Sequence, residues 1–409
     1  MKVICSRAEL SEALSNVSRA AAQKSPLKVI EGVLLRAGEG TLYMCCYDLE
    51  LGISKSIPAQ VVQKGELVMP LRLCEYARRM SGDSIVIECD EKYAVHITSD
   101  SASYDIIGIP AMDFPELPAV DREHTISIAE TSLRTLMNQT AYAISTKQNM
   151  PVQYTGELFE FSEGLLTLVA LDGFRVALST GSVENSEEYS FIVPGKTINE
   201  LIKLLSDRED NVEMTIAQKN IIFSVNGYSI ISRLMGGKFM NYRSAMSDTG
   251  NRTVTVKTSD FIQALERMSL IITEAEKSPV CCLFGTTSVG FMCETELSRA
   301  VDSISCASDI QEEIEIGFNN RYLLDAFRAA DTDEVRLLLH EDSKKPIQII
   351  PPDGDSFRFL LMPVLLRAGT FKRDSAPAAG PAPGSYAGSN EDYSPSDEDE
   401  ADFGSDTDD

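Results

Sequence analysis

This chain offers little to imidazole and thiolate chemistry. Its 409 residues hold three histidines (His96, His124 and His340) and nine cysteines, none in C-x-x-C spacing. Cys45-Cys46 and Cys281-Cys282 are adjacent pairs inside apolar, strand-like runs, so their side chains point to opposite faces and cannot grip one metal. A zinc site is therefore not expected, and buried reduced thiols are. No apolar run approaches the roughly 18 residues of a membrane span. MKVICSRAEL reaches Arg7 and Glu9 too soon to hold a signal-peptide core, so a cytoplasmic protein is expected. Positive charge is scarce as well. Against 62 Asp and Glu stand 37 Lys and Arg, a net charge of −25. That excludes a generic basic nucleic-acid binder, although not a basic surface inside an acidic whole.

Catalytic constellations are missing too. Pro194-Gly195-Lys196-Thr197 resembles the end of a phosphate loop, but the first glycine of that motif would fall on Ser190. Asp402-Phe403-Gly404 spells a kinase triplet without a Gly-rich or catalytic loop. Asp172 and Arg175 look like a charged pair, yet nothing in the sequence sets a His or Cys beside them. No catalytic residue, metal ligand or cofactor is expected.

What is present repeats. Length gives a prior of two to three domains. AELSEALSNVSRA, TSLRTLMNQTAYA and SDFIQALERMSLI are three similar amphipathic segments, each followed by short strand-like runs and then a second helix. Those second helices lie in MPLRLCEYARRM, VPGKTINELIKLL and GFNNRYLLDAFRAA. Asp48-Leu49, Asp172-Gly173 and Glu296-Leu297 are read as equivalent points, and so are Pro70 and Pro194. A period this long marks a duplicated domain, not a solenoid. Three α+β domains follow, at 1–122, 123–250 and 251–368. Residues 369–409 change character. From 372 on, eleven acids, two basic residues and four prolines leave almost nothing to bury, so an acidic disordered tail is expected. It carries −9 of the net charge and is read as a solvated tail, or as one that weakens partner or DNA binding by charge.

The six helical windows are 6–20, 71–80, 131–144, 196–208, 259–272 and 319–330. They hold twelve Lys or Arg against eight acids, leaving 25 basic and 54 acidic residues elsewhere. The helices are thus the basic layer of an acidic protein, a surface suited to phosphates. A helix is about 10 Å across, so six in a closed circle leave a hole of about 10 Å. Twelve leave about 30 Å, enough for duplex DNA, so a DNA ring would need two chains.

Taken together, the triplication and its motifs resemble the bacterial sliding clamp family, the beta subunit of the DNA polymerase III holoenzyme, over about residues 1–367. The carrying segments are the opening MKVICSRAEL helix, PLKVIEGVLL, GTLYMCCYDLEL, IPAMDFPELP, VALDGFRVAL, GGKFMNYR, EIGFNNRYLLDAF and LLMPVLL. The resemblance implies three tandem clamp domains in a head-to-tail homodimeric ring, helices lining the hole and sheets outside. It implies a non-catalytic processivity factor that encircles duplex DNA without reading its bases and tethers the replicative polymerase subunit, the clamp loader and other peptide-bearing partners at the replication fork. Residues near DNA would be Lys24, Arg72, Gln148, Lys196 and Lys203. A hydrophobic peptide pocket would use Tyr154, Leu171, Gly173, Arg175, Val176, Met240, Ala245, Leu360, Met362, Pro363 and Val364. The subunit contact would set Ile271 and Ile272 against Tyr104 and Ile106. The chain departs from the family's usual pattern at Phe174 (a His), Met240 (a Pro), Tyr154 (a Leu) and Ser244 (an Arg), which shifts the expected peptide preference. The alternatives are an acidic peptide-binding scaffold without DNA function, disfavoured by the helix charge, and a hydrolytic or transferase enzyme, which lacks residues for the chemistry.

Overall fold

Alternating exposure decides the first element. In Lys2–Ser6 the side chains of Val3 and Cys5 are buried while their neighbours are half exposed, the two-residue period of a strand. MKVICSRAEL is therefore not one helix. The strand ends at Ser6, whose hydroxyl accepts from the Glu9 amide and caps a helix that starts at Arg7. The computed structural model describes residues 1–118, 124–147, 149–185, 187–273 and 278–366. Gln148 and residues 369–409 lie outside the described residues.

Seven helices are present among the described residues. They are α1 (Arg7–Val17), α2 (Arg72–Arg79), α3 (Glu130–Thr140), α4 (Gly195–Leu204), α5 (Tyr242–Met246), α6 (Thr258–Ser269) and α7 (Asn320–Ala330). Tight 3-10 turns extend α1 through Ala20 and α3 through Ala143. Helix α4 stops at Leu204, which leaves Arg208 beyond it, and α5 is a single short turn. Without α5, each third of the chain runs strand, helix, strands, helix, three strands.

Every long helix buries one stripe against a sheet. Leu10, Ala13, Leu14 and Val17 do so for α1, and Phe261, Ala264, Leu265 and Met268 for α6. The Phe261 ring stacks on Phe327 of α7 at 3.9 Å, locking the two helices of the third unit together. The adjacent cysteines divide as expected: Cys46 enters the main core and Cys45 a satellite cluster.

The sheets cross both junctions. Between the first two units, Leu51–Gln63 pairs antiparallel with Tyr228–Arg233, with Gly52 opposite Ile231 and Ile53 opposite Ile230. Between the second and third, Arg175–Ser182 pairs with Phe357–Leu361, with Val176 opposite Leu360 and Ala177 opposite Phe359. Two edge strands then stand at the ends, Ala102–Ile107 in the first unit and Arg299–Ser305 in the third.

The repeat is one residue shorter in the third unit than the sequence reading assumed. The amides of Asp48, Asp172 and Thr295 each donate across the same hairpin turn, to the carbonyls of Leu51, Arg175 and Ser298. Thr295, not Glu296, therefore stands at the place of Asp48 and Asp172. Its hydroxyl accepts the Ser298 amide, as the Asp48 carboxylate accepts that of Leu51.

Candidate functional site

Three surfaces carry the residues singled out in the sequence. The first is the helix layer. Within units, α2 packs on α1, α4 on α3 and α6 on α7, while α3 also meets α7 across a junction. At the other junction Arg19, just past α1, approaches Glu200 of α4 at 3.9 Å, and Asn16 donates to the Tyr228 hydroxyl at 2.7 Å. The helices thus form one series: α2, α1, α4, α3, α7, α6.

Much of the layer's positive charge is held internally. Lys196 pairs with Asp48 across the first junction, and Lys203 with Glu200 at 2.8 Å. Arg134 pairs with Asp207, Arg267 with Asp302 at 2.5 Å and Arg328 with Glu266 at 2.7 Å. Arg78 and Arg79 share Glu75. Lys24 and Arg72 are exposed and make no ion pair among the described residues. Lys196 does not open a phosphate loop, because the neighbouring Thr197 hydroxyl is buried against that of Ser232 at 2.6 Å.

The second surface is the groove where the second unit meets the third. Leu171, Val176 and Leu360 are buried together with Phe239 and Tyr242, and Tyr154 and Ala245 pack against them. Strand pleat selects these residues. Val176 faces outward into this cluster, while Ala177, one residue on, enters the core on the helix side. Met240, Met362 and Val364 stand exposed around the cluster, as does Phe174, and Pro363 is half-buried. Gly173 takes φ +84, a left-handed conformation that favours glycine, although Leu49 adopts φ +79 at the equivalent turn of the first unit.

Arg175 sits differently from its apolar neighbours. It is buried, with Nε on Asp172 at 3.2 Å, Nη1 on Asp325 of α7 at 2.8 Å and Nη2 on the Tyr142 carbonyl at 2.6 Å. Its guanidinium also lies 4.3 Å from the Tyr322 ring centre. It therefore ties the two units together from the helix side. Asp172, for its part, accepts the Phe174 and Arg175 amides and fixes the turn.

Two contributors to the groove were not singled out in the sequence. Phe239 meets the Tyr154 ring edge-on at 5.8 Å. The Tyr242 hydroxyl donates to Glu160 at 2.5 Å, and burial followed by that carboxylate raises the phenol above its ordinary range. Their signal lay in the GGKFMNYR segment, where both are aromatic beside a flexible Gly pair. Lys147 lies 4.1 Å over the Phe174 ring and donates to the Tyr322 hydroxyl at 3.2 Å, closing one end of the groove.

The third surface is the pair of edge strands. In Ala102–Ile107, Tyr104 stacks on Tyr76 of α2 at 4.1 Å and Ile106 is half-buried, but Ile107 is 76% exposed. At the other end Ile271 and Ile272 pack partly on the third core, whereas Leu270 is 84% and Leu297 95% exposed.

Known proteins align with this geometry along most of the chain. Family models described as DNA polymerase III beta subunit match it in order: the N-terminal domain over residues 1–118, the central domain over 127–241 and the C-terminal domain over 243–365. The beta sliding clamp of Bacillus subtilis is 25% identical over 377 residues, covering 89% of this chain and 99% of that protein. That of Staphylococcus epidermidis is 26% identical over 362 residues, covering 86% and 96%. Among solved structures, a putative DNA polymerase III beta subunit from Eubacterium rectale superposes with a TM-score of 0.84 at 27% identity, covering 89% of this chain and 99% of its own. A sliding clamp from Pseudomonas aeruginosa, bound to griselimycin, gives 0.83 at 25% identity, covering 90% and 100%.

Proposed function

The chain belongs to the DNA polymerase III beta-subunit family, the beta sliding clamps, and from that premise we propose how its surfaces divide the work. It is a DNA sliding clamp: two copies join head to tail into a ring around duplex DNA, and the ring tethers the polymerase and other partners through a peptide pocket. The observation that carries this reading is the continuous series of six helices backed by sheets that cross both junctions. Twelve such helices enclose a hole of about 30 Å, wide enough for a duplex and its water.

In this reading Lys24 and Arg72 meet phosphates directly. Lys196 and Lys203 do so by exchanging Asp48 and Glu200 for phosphate oxygens. Gln148 is assigned to the same surface from the family resemblance alone. Non-specific charge contacts suit sliding, because they carry no sequence information. The pocket takes a partner's apolar side chains onto Tyr154, Leu171, Val176, Ala245 and Leu360, with Met240, Met362, Pro363 and Val364 at the rim. Gly173 shapes the turn, and Arg175 positions it. Tyr104 and Ile106 of one chain meet Ile271 and Ile272 of the next. The domains are 1–122, 123–250 and 251–368. The ring does no chemistry of its own and works in the cytoplasm at replication forks.

Primer extension on a long singly primed template tests this. With a replicative polymerase and loader of the family, the native chain should lengthen products. Met362→Asp with Met240→Asp alters exposed side chains, so it should abolish the lengthening while leaving the dimer intact. Full stimulation by that variant would place the docking pocket elsewhere.

A further inference from the structure

Methionine exposure is uneven along the chain. Of the fourteen methionines, three stand more than a third exposed: Met112 (86%), Met362 (41%) and Met240 (37%). The other eleven are buried or half-buried. Met112 lies in the first unit, in the turn Ala111–Asp113. The remaining two rim the groove, Met240 from the second unit and Met362 from the third. Backbone bonds hold both in place. The Met362 amide donates to the Phe174 carbonyl at 2.9 Å, and the Tyr242 amide donates to the Met240 carbonyl at 2.8 Å. Met240 also lines an adjoining cleft of about 620 Å³ with Phe239, Tyr242 and Arg243, so small solutes reach it from that flank as well.

We propose that Met240 and Met362 form an oxidation site through which a hydroperoxide switches off peptide docking. The proposal rests on the groove reading and adds its regulation. The thioether sulfur attacks one peroxide oxygen. The O–O bond breaks, an S–O bond forms, and the other oxygen leaves as water or alcohol with the proton of the transferred oxygen. Sulfur loses two electrons and the peroxide gains them. The resulting sulfoxide is a polar acceptor where a flexible apolar side chain lay before. A partner's apolar anchor that covers it strips its water and offers no donor in return. Reductases specific for each sulfoxide epimer reverse the step, so the site resets.

Cysteine thiols compete poorly for the oxidant. Six of the nine are buried, and Cys74, Cys89 and Cys306 are half-buried. Burial raises each of those three above the ordinary thiol range and keeps it protonated. A peroxide needs the thiolate of a cysteine, whereas a thioether reacts without losing a proton. Place matters as much as reactivity. Met240 and Met362 edge the cluster of Leu171, Val176, Leu360, Phe239 and Tyr242, which an apolar anchor must reach. Met112 is as open to oxidant but stands apart from that cluster, in the first unit.

Fluorescence anisotropy of a fluorescein-labelled peptide with leucine and phenylalanine anchors tests this on the full chain, before and after hydrogen peroxide. Mass spectrometry locates each added oxygen. Sulfoxide at 240 and 362 should raise the dissociation constant about tenfold. Dithiothreitol, which reduces oxidised cysteine, should not restore binding, and the two sulfoxide reductases should. Met112→Leu should respond to peroxide as the native chain does. Met240→Leu with Met362→Leu should hold its own untreated affinity after the same exposure. Four results overturn the switch and leave the groove standing: unchanged binding with both sulfoxides formed, no sulfoxide at either position, recovery with dithiothreitol alone, or an equal loss in the double leucine chain. A probe that the untreated chain does not bind overturns the groove reading and the switch with it.

Discussion

At Glu157 a carboxyl is fully buried on the strand Gly156–Ser162, with the Thr140 hydroxyl as its hydrogen-bond partner. Thr140 also lies 2.8 Å from the Leu136 carbonyl, so its single hydroxyl proton cannot fully satisfy both oxygens. Burial is the dominant influence and pushes the Glu157 carboxyl up to about 8, from an ordinary 4.5, against the lesser pull of Thr140. The folded state therefore prefers the protonated acid. Its contribution to stability is complete below about pH 4.5 and fades as pH rises through about 8. Glu157→Gln keeps the shape and removes the titration. The variant should be more stable than the native chain by roughly 1–3 kcal/mol at pH 8–9, with the gap closing toward pH 4.5. Urea unfolding across that pH range checks it, and a pH-independent difference would contradict the assignment. Arg175 is the opposite case, since its buried charge is matched by Asp172 and Asp325 and by the Tyr142 carbonyl.

Among the elements, the helices separate two kinds of cation that look alike in sequence. Lys196 and Lys203 are committed to carboxylates, whereas Lys24 and Arg72 are exposed and make no ion pair among the described residues, Lys24 acting on Glu31 only at longer range. Each phosphate neutralised adds about 0.9 to the slope of log affinity against log salt. Lys24→Ala with Arg72→Ala should weaken binding to short duplexes at low salt and flatten that slope by about 2 per chain. Lys196→Ala should change the slope less and loosen the first junction instead. Fluorescence anisotropy over a salt series measures both, and equal slopes for all three chains would contradict the division. The six long helices were legible because their apolar stripes recur at helical spacing between turn signals. The leading strands were not, since five residues such as KVICS carry too short a period to separate from the helix that follows. Leu171 or Leu360 alone reads from sequence as ordinary core; the family resemblance grouped them with Val176, and pairing across the junction brings the three together. Arg175 could be named but not oriented, because its partner Asp325 lies 150 residues away in α7. The misplaced Glu296 shows how a one-residue shortening hides until hairpin hydrogen bonds are traced.

On the scale of the whole molecule, an acidic chain with a net charge of −25 turns one layer of helices to DNA and keeps sheets on the other side. Sheet pairing crosses both internal junctions, from the first unit to the second and from the second to the third. Among the described residues no helix is long and apolar enough to cross a membrane. The two internal junctions are alike, each an antiparallel pairing of a hairpin strand of one unit with the last strand of the next. Holding DNA then depends on topology more than on affinity, and that separates a clamp from an acidic scaffold. Retention on circular and on linear duplex, after loading and in about 0.5 M salt, tests it directly, because phosphate contacts are then screened to within a few ångströms. A ring stays on the circle and slips from the free ends of the linear form. Equal loss from both, with a matched loader present, would contradict the account.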